Sequence, residues 1–412
     1  MGIPQVLLSM TGAILGFPLC LVFLAAWVAY IYFFRSEFPP ELGYPVKMRL
    51  THIGILATYG LDYIAWKIGL CNEHTIMRKL IDGIPPLKDK KLHIQNLQFE
   101  GVTVRLYQLK TPTTKPRKGI LFYHGGIGMW GSIDSHERMC RYLARESDSV
   151  VVSVGYRLSP EHPYPGQFQD CLVATIHFMK NAEDYGADPE CIIISGDSLG
   201  GTLAAAVCQE LVKRTDLPRV RAQILLYPFL QAINFNLPSH QQNQLVLPFF
   251  QRIVVEAGLQ YLKKNQSLAK ELRKGSHIPE DMKMKLRNWI SPEIIPKEFK
   301  LRGYKPPPAA VFSPEIYQQA QVAFETTFSP LLADANVVRQ LPEMFMLTCE
   351  YDILRDDGLL YKKRLEDEGV PVSWCHLADG FHGALYTIDF PLISVSCAKR
   401  GMDHVVNFVK GL

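Results

Sequence analysis

Residues 3 to 34 carry no charged side chain and form the longest apolar run of the chain. About 20 apolar residues cross a bilayer, so this run is long enough to span one with some tilt. It lacks the basic leader and short apolar centre of a cleaved signal peptide, and so predicts an uncleaved signal anchor over residues 1–35. Trp27, Tyr30, Tyr32, Phe33 and Phe34 gather toward one end, as an interfacial aromatic belt does. A second, semi-apolar stretch from His52 to Gly69 is broken by Asp62 and Lys67, which argues against another span. Inside an N-terminal region of residues 36–100, it reads equally as a cap helix near the membrane surface or as an ordinary packed helix.

From residue 101 the pattern changes. Short apolar, β-branched runs at 102–107, 119–123, 150–154, 192–194, 222–227, 342–349 and 372–376 alternate with helical stretches, one of them near 169–181. Such a rhythm predicts an α/β fold, with a mainly parallel sheet covered by helices on both faces. Residues 231–320 break it, with many Gln, Lys and Pro and no clear strand. They read as a cap insertion between two parts of one core, 101–230 and 321–412.

Composition narrows the class only a little. A net charge of +4 spread along 412 residues does not suggest nucleic acid. Nine scattered cysteines show no paired spacing of the kind that holds zinc, and no dinucleotide-type glycine loop follows a strand. No cofactor or metal is implied.

The chemistry gathers at strand ends. The apolar run Ile192-Ile193-Ile194 leads into Gly196-Asp197-Ser198-Leu199-Gly200, and an Ala-rich helical run leaves it. This strand, G-x-S-x-G and helix form the nucleophile-elbow pattern, in which glycines let backbones pass closely and lift the Ser198 hydroxyl clear. Upstream, the 119–123 strand ends in His124-Gly125-Gly126-Ile127-Gly128, a loop able to present backbone N–H groups to an oxyanion. Downstream, the strand at 344–349 ends near Asp352, and His382 sits in a loop between Gly380 and Gly383. The order Ser, Asp, His is that of an α/β-hydrolase. Ser198 is the expected nucleophile, His382 the base and Asp352 its orienting carboxylate. Asp356 and Asp357 lie close enough to compete with Asp352, as helix-capping turn carboxylates would. Backbone amides near Gly125 and Gly126, plus that of Leu199, are the expected oxyanion donors. His162 belongs to a Pro-rich structural turn.

His124-Gly125-Gly126, the Tyr156–Pro165 stretch, Gly196–Gly201, Tyr351–Asp356 and Asp379–Gly383 together resemble the hormone-sensitive-lipase group, the G-D-x-G lipolytic enzymes, and within it the arylacetamide deacetylase branch. The resemblance runs from about residue 40 to the C-terminus. It implies hydrolysis of carboxylic esters, with lipid esters and aryl amides as further candidates, and a catalytic domain in the lumen of the endoplasmic reticulum. The charges conflict with that orientation, because Arg35, Lys47 and Arg49 flank only the C-terminal end of the anchor and would hold it in the cytoplasm. Asn265-Gln266-Ser267 is a glycosylation sequon, usable only in the lumen. In relatives, a cysteine on the oxyanion loop can pair with one on the strand before the aspartate; Met129 and Trp130 occupy that loop, which leaves Cys349 without that partner.

One position departs from the group. Ile127 stands where a third glycine is usual, and a β-branched residue is strained at positive φ. A weakened oxyanion hole would turn the chain into a catalytically quiet lipid- or partner-binding protein on the same fold. A peptidase is disfavoured by the anchor. Acyl length and oligomeric state are not legible.

Overall fold

Strand β5, Ala187–Asp197, runs through an eight-stranded sheet and delivers Ser198 at its end. The strands are β1 (Leu92–Phe99), β2 (Val102–Leu109), β3 (Arg117–Tyr123), β4 (Val150–Gly155), β5, β6 (Ala222–Leu226), β7 (Glu343–Tyr351) and β8 (Val372–Phe381), in the spatial order β1-β2-β4-β3-β5-β6-β7-β8. Pairing is antiparallel from β1 to β2 and from β2 to β4, and parallel through the rest. This computed structural model describes residues 44–244, 246, 250–390 and 393–412, with positions 30, 39 and 42. Apart from Tyr30, the expected anchor at residues 3–34 lies outside the described residues. Among those described, no helix is long and apolar enough to cross a membrane.

The inner strands are apolar at nearly every position because both faces are covered. Ile120 and Phe122 of β3, Val151 of β4 and Ile193 of β5 face one core, shared with helices α3 (Glu137–Ser147) and α8 (Ser396–Gly411). Leu121, Tyr123, Val152, Ile192 and Ile194 face the other, shared with α4 (Gly166–Lys180), α5 (Leu199–Leu211) and α7 (Arg355–Asp367). The side-chain period of two thus feeds two cores from a single run of apolar residues.

The sheet begins at Leu92, not at residue 101. β1 forms a hairpin with β2 through Glu100 and Gly101, both at positive φ. Its apolar residues are spaced among polar ones, Leu92 and Ile94 turning to one core and Leu97 and Phe99 to the other, so it lacks the dense apolar run that marks the inner strands. The His52–Gly69 stretch lies in helix α1 (Pro45–Lys67), which turns back through α2 (Thr75–Asp82). The 231–320 insertion is helical and contains α6 (Phe250–Tyr261).

At the elbow the glycines have no substitute. A Cβ on Gly196 would stand 2.2 Å from the Gly200 carbonyl oxygen, and one on Gly200 would stand 2.0 Å from the Tyr123 oxygen. Both clashes are with backbone, which cannot rotate away. Gly200→Ala is therefore expected to cost about 3 kcal/mol or more in stability, read as a fall in the thermal unfolding midpoint. A midpoint within a degree of the parent would contradict that.

Candidate active site

Ser198 sits at φ 53°, ψ −122°, the strained conformation of a residue pushed out of a tight turn, and its amide donates to Leu226 O at 2.9 Å. The structure brings the three expected residues together. Ser198 Oγ is 2.9 Å from His382 Nε2, and His382 Nδ1 is 2.8 Å from Asp352 Oδ2. Asp352 follows β7 directly and also takes the Leu354 amide at 2.8 Å. Its carboxylate is fully buried, whereas the imidazole keeps 13% of its surface exposed. Burial opposes protonation of His382, but the adjacent Asp352 carboxylate outweighs it and holds the imidazole pKa above the ordinary histidine value. Asp356 and Asp357 are turned elsewhere. Asp356 pairs with Arg355 at 2.9 Å and accepts the Ser239 amide at 2.7 Å. Asp357 accepts from Leu230 and Gln231, and burial pushes its pKa up to about 7.

The oxyanion loop needs one correction. Gly125 donates its N–H to Asp197 Oδ1 at 2.8 Å, so it cannot serve an oxyanion at the same time. No acceptor among the described residues takes the N–H of Gly126, Ile127, Gly128 or Leu199; Gly126, Ile127 and Leu199 among them are the candidate oxyanion donors. His124 acts behind the loop: its Nδ1 is 2.8 Å from Gly125 O, its ring stacks on Tyr156 at 4.1 Å, and Tyr156 donates to its carbonyl at 2.5 Å. Burial, with His136 close by, pushes the His124 pKa down to about 3, so the ring is neutral.

Three supports of the loop carried little signal in the sequence. Asp197, inside the elbow motif, is buried and pairs with His136 Nε2 at 3.1 Å. Burial works against its charge, but His136 and the Gly125 amide outweigh it and hold the carboxyl pKa below its usual value. Arg78 of α2 donates to Met129 O at 2.9 Å and to Ser159 O at 2.8 Å, and binds Glu161 with both terminal nitrogens at 2.8 Å. Only the fold brings these residues to the loop, and no motif near residue 78 announces the contact.

The site opens into an apolar cavity. Ser198, His382, Leu199 and Ile127 form its reactive end; Phe229, Phe235, Leu259 and Phe328 are among the residues that continue it, with α6 forming much of one wall. Ile127 keeps the left-handed conformation a glycine would adopt, at φ 57°, and places its side chain on the cavity wall. Asn265 is exposed, with its side-chain oxygen accepting the Ser267 amide at 2.9 Å. The eight cysteines among the described residues are free, including the buried Cys349. No metal-binding cluster occurs among the described residues. His162 is exposed in its loop and takes no part in the site.

An alpha/beta hydrolase fold family model matches residues 120–274 and 307–386. Human arylacetamide deacetylase-like 4 is 42% identical over 97% of this chain and 98% of its own length, and human arylacetamide deacetylase-like 3 is 43% identical over 96% and 99%. The chain belongs to the arylacetamide deacetylase family. Bovine arylacetamide deacetylase is 38% identical over 74% of this chain and 77% of its own. Among solved structures, an esterase from the archaeon Pyrobaculum calidifontis superimposes with a TM-score of 0.55 at 23% identity, over 82% of this chain and 87% of that one. A likeness at that identity speaks for the shared hydrolase fold alone.

Two outcomes are expected of this arylacetamide deacetylase relative. The rate of fluorophosphonate inactivation should fall with acid through a pKa above the ordinary histidine value, since only neutral His382 accepts the Ser198 proton. In Asp352→Asn that acid limb should move to lower pH, because burial is then opposed only by the weaker pull of Asp197, and the rate should drop by about 10³-fold or more. An unmoved limb would remove Asp352 from the role. Separately, Ile127→Gly should shift kcat/KM by about tenfold toward esters with a bulkier group beside the carbonyl. Unchanged selectivity would mean that Ile127 does not shape the pocket.

Proposed function

We propose that this carboxylic ester hydrolase works through a Ser198 acyl-enzyme, on apolar esters, while anchored in a membrane. The observation carrying the reading is the unbroken Ser198–His382–Asp352 chain at the end of an apolar cavity. Ser198 Oγ attacks the ester carbonyl as His382 Nε2 takes its proton. The tetrahedral oxyanion is met by the N–H groups of Gly126, Ile127 and Leu199, at the positive end of α5. Collapse breaks the bond to the alcohol, which leaves with the proton from His382. Water, deprotonated by His382, then attacks the acyl-serine and releases the acid, and Ser198 recovers its proton. Throughout, Asp352 holds the His382 tautomer and balances the imidazolium charge.

The name of the bovine relative supports aryl amides as a further substrate class, and the walls of Phe, Leu and Val suit aryl or acyl chains equally. The uncharged run at residues 3–34 supports a single-pass anchor, and family resemblance supports an endoplasmic-reticulum membrane with a luminal catalytic domain, in which Asn265 would be open to glycosylation. A second reading, a quiet lipid-binding protein, draws on the strained Ile127. Against it, the loop keeps its glycine-like conformation despite that side chain.

The test is hydrolysis of p-nitrophenyl esters from short to long acyl chains by the parent and by Ser198→Ala. Turnover is expected in the parent and should fall by about 10⁴-fold or more in the variant. A folded parent that neither turns over nor takes up a fluorophosphonate on Ser198 would favour the quiet protein.

A further inference from the structure

Helix α1 is apolar on two sides. Its inner side is fastened to the body: Met48 and His52 are buried, Tyr59 meets Trp130 edge-on at 6.5 Å, and Asp62 accepts the Ile76 amide at 2.8 Å. Asp62, which interrupts the apolar stretch in the sequence, therefore ties α1 to α2 rather than facing water. Among the described residues, the outer side has no such partners. At 100° per residue, Val46, Leu50, Ala57, Leu61, Ile64 and the capping Ile68 fall within an arc of about 60°. All six are exposed, Leu61 to 60% and Ile68 to 65%. The stripe runs the length of a 23-residue helix, about 35 Å. A soluble protein rarely leaves so long an apolar line in water.

We propose that this outer stripe lies flat in the lipid bilayer that holds the anchor, as a second and interfacial membrane contact. The inference rests on the anchored reading above. The chain itself argues for lipid as the occupant. The uncharged run ends at residue 34, and Leu42 is already buried against the core with Met48 and Tyr351. The eight residue steps from 34 to 42 reach about 29 Å at most, so a membrane holding the anchor lies within that distance of Leu42, three residues before α1. The charges fit a helix lying in the interface rather than crossing it. Lys47, Arg49 and Lys67 flank the stripe near its two ends, at the level of lipid phosphates, and Lys67 stands 4.2 Å over the Trp66 ring.

The consequence concerns substrate supply. The same hairpin that would rest on lipid holds the oxyanion loop through Arg78 and Trp130, so the catalytic end of the cavity stays close to the bilayer surface. An apolar ester could then pass from membrane to cavity with little exposure to water.

Full-length protein in phosphatidylcholine vesicles, doped with a phosphatidylcholine bearing a photoactivatable diazirine in its acyl chain, provides the test. After irradiation, lipid adducts are expected on peptides covering residues 45–68 as well as 3–34. In the double variant Leu61→Glu, Ile64→Glu, adducts on 45–68 should fall at least about fivefold, with those on 3–34 and turnover of a water-soluble short ester unchanged. Adducts on 3–34 alone would overturn the proposal and leave the anchor standing. Adducts on neither would overturn both. A cross-link from α1 to residues 3–34 or to a second copy, in place of lipid, would assign the stripe to a protein partner and overturn it too.

Discussion

Everything at this site depends on how closely three backbones pass one another at the elbow. Tyr123 ends β3, Gly196 leaves β5, and Gly200 lies in the first turn of α5; side chains at either glycine would overlap main-chain atoms. That proximity lets a loop from one strand and a helix N-terminus from the next offer N–H groups to a single point in space. It also forces Ser198 to a positive φ, a strain tolerated because the surrounding sheet and helix leave the turn no alternative. The Ser198 hydroxyl is thus exposed by steric exclusion before any acid–base chemistry is considered.

A second constraint is electrostatic and sits one layer deeper. Asp197 is buried beside the nucleophile, where an unpaired carboxylate would be costly. It is satisfied by His136 and by the Gly125 amide, and the latter bond fixes where the loop leaves β3. An N–H that could have stabilised the oxyanion instead orients the next amides along the loop. The Gly126 carbonyl reinforces the turn by accepting from Met129 and Trp130, and Arg78 holds the Met129 carbonyl from outside. This bracing keeps Ile127 in a conformation its own Cβ disfavours.

Much of this was legible in the residues, for physical reasons that differ from one element to the next. β3, β5, β6 and β7 are buried on both faces, so their apolar runs stand out against any background. The elbow and the order of Ser198, Asp352 and His382 are readable because backbone crowding demands glycine and the chemistry demands those side chains. β1 is not legible because its apolar residues shift from one face to the other after Ile94 and are interspersed with polar ones, so neither an alternation nor a dense run marks it. The role of Gly125 was misassigned because which amide faces the oxyanion depends on a hydrogen bond to Asp197 that no spacing encodes. Arg78 was invisible for a similar reason: its partners at Met129, Ser159 and Glu161 are neighbours only in the folded chain.

The pocket follows a different logic from the catalytic centre. Ser198, His382 and Asp352 come from strand ends of the core, whereas much of the cavity wall comes from the 231–320 insertion, including Phe235, Leu259 and Leu272. Reaction type and substrate choice are therefore written in separate parts of the chain. Ile127, like Leu199, crosses that division, because its side chain lines the cavity while its N–H is one of the candidate oxyanion donors. Replacing the usual glycine with a branched side chain couples the two functions, so a change in pocket shape at this position also touches transition-state stabilisation. That coupling is a physical reason for a change at this position to alter substrate range even where Ser198, Asp352 and His382 are all kept.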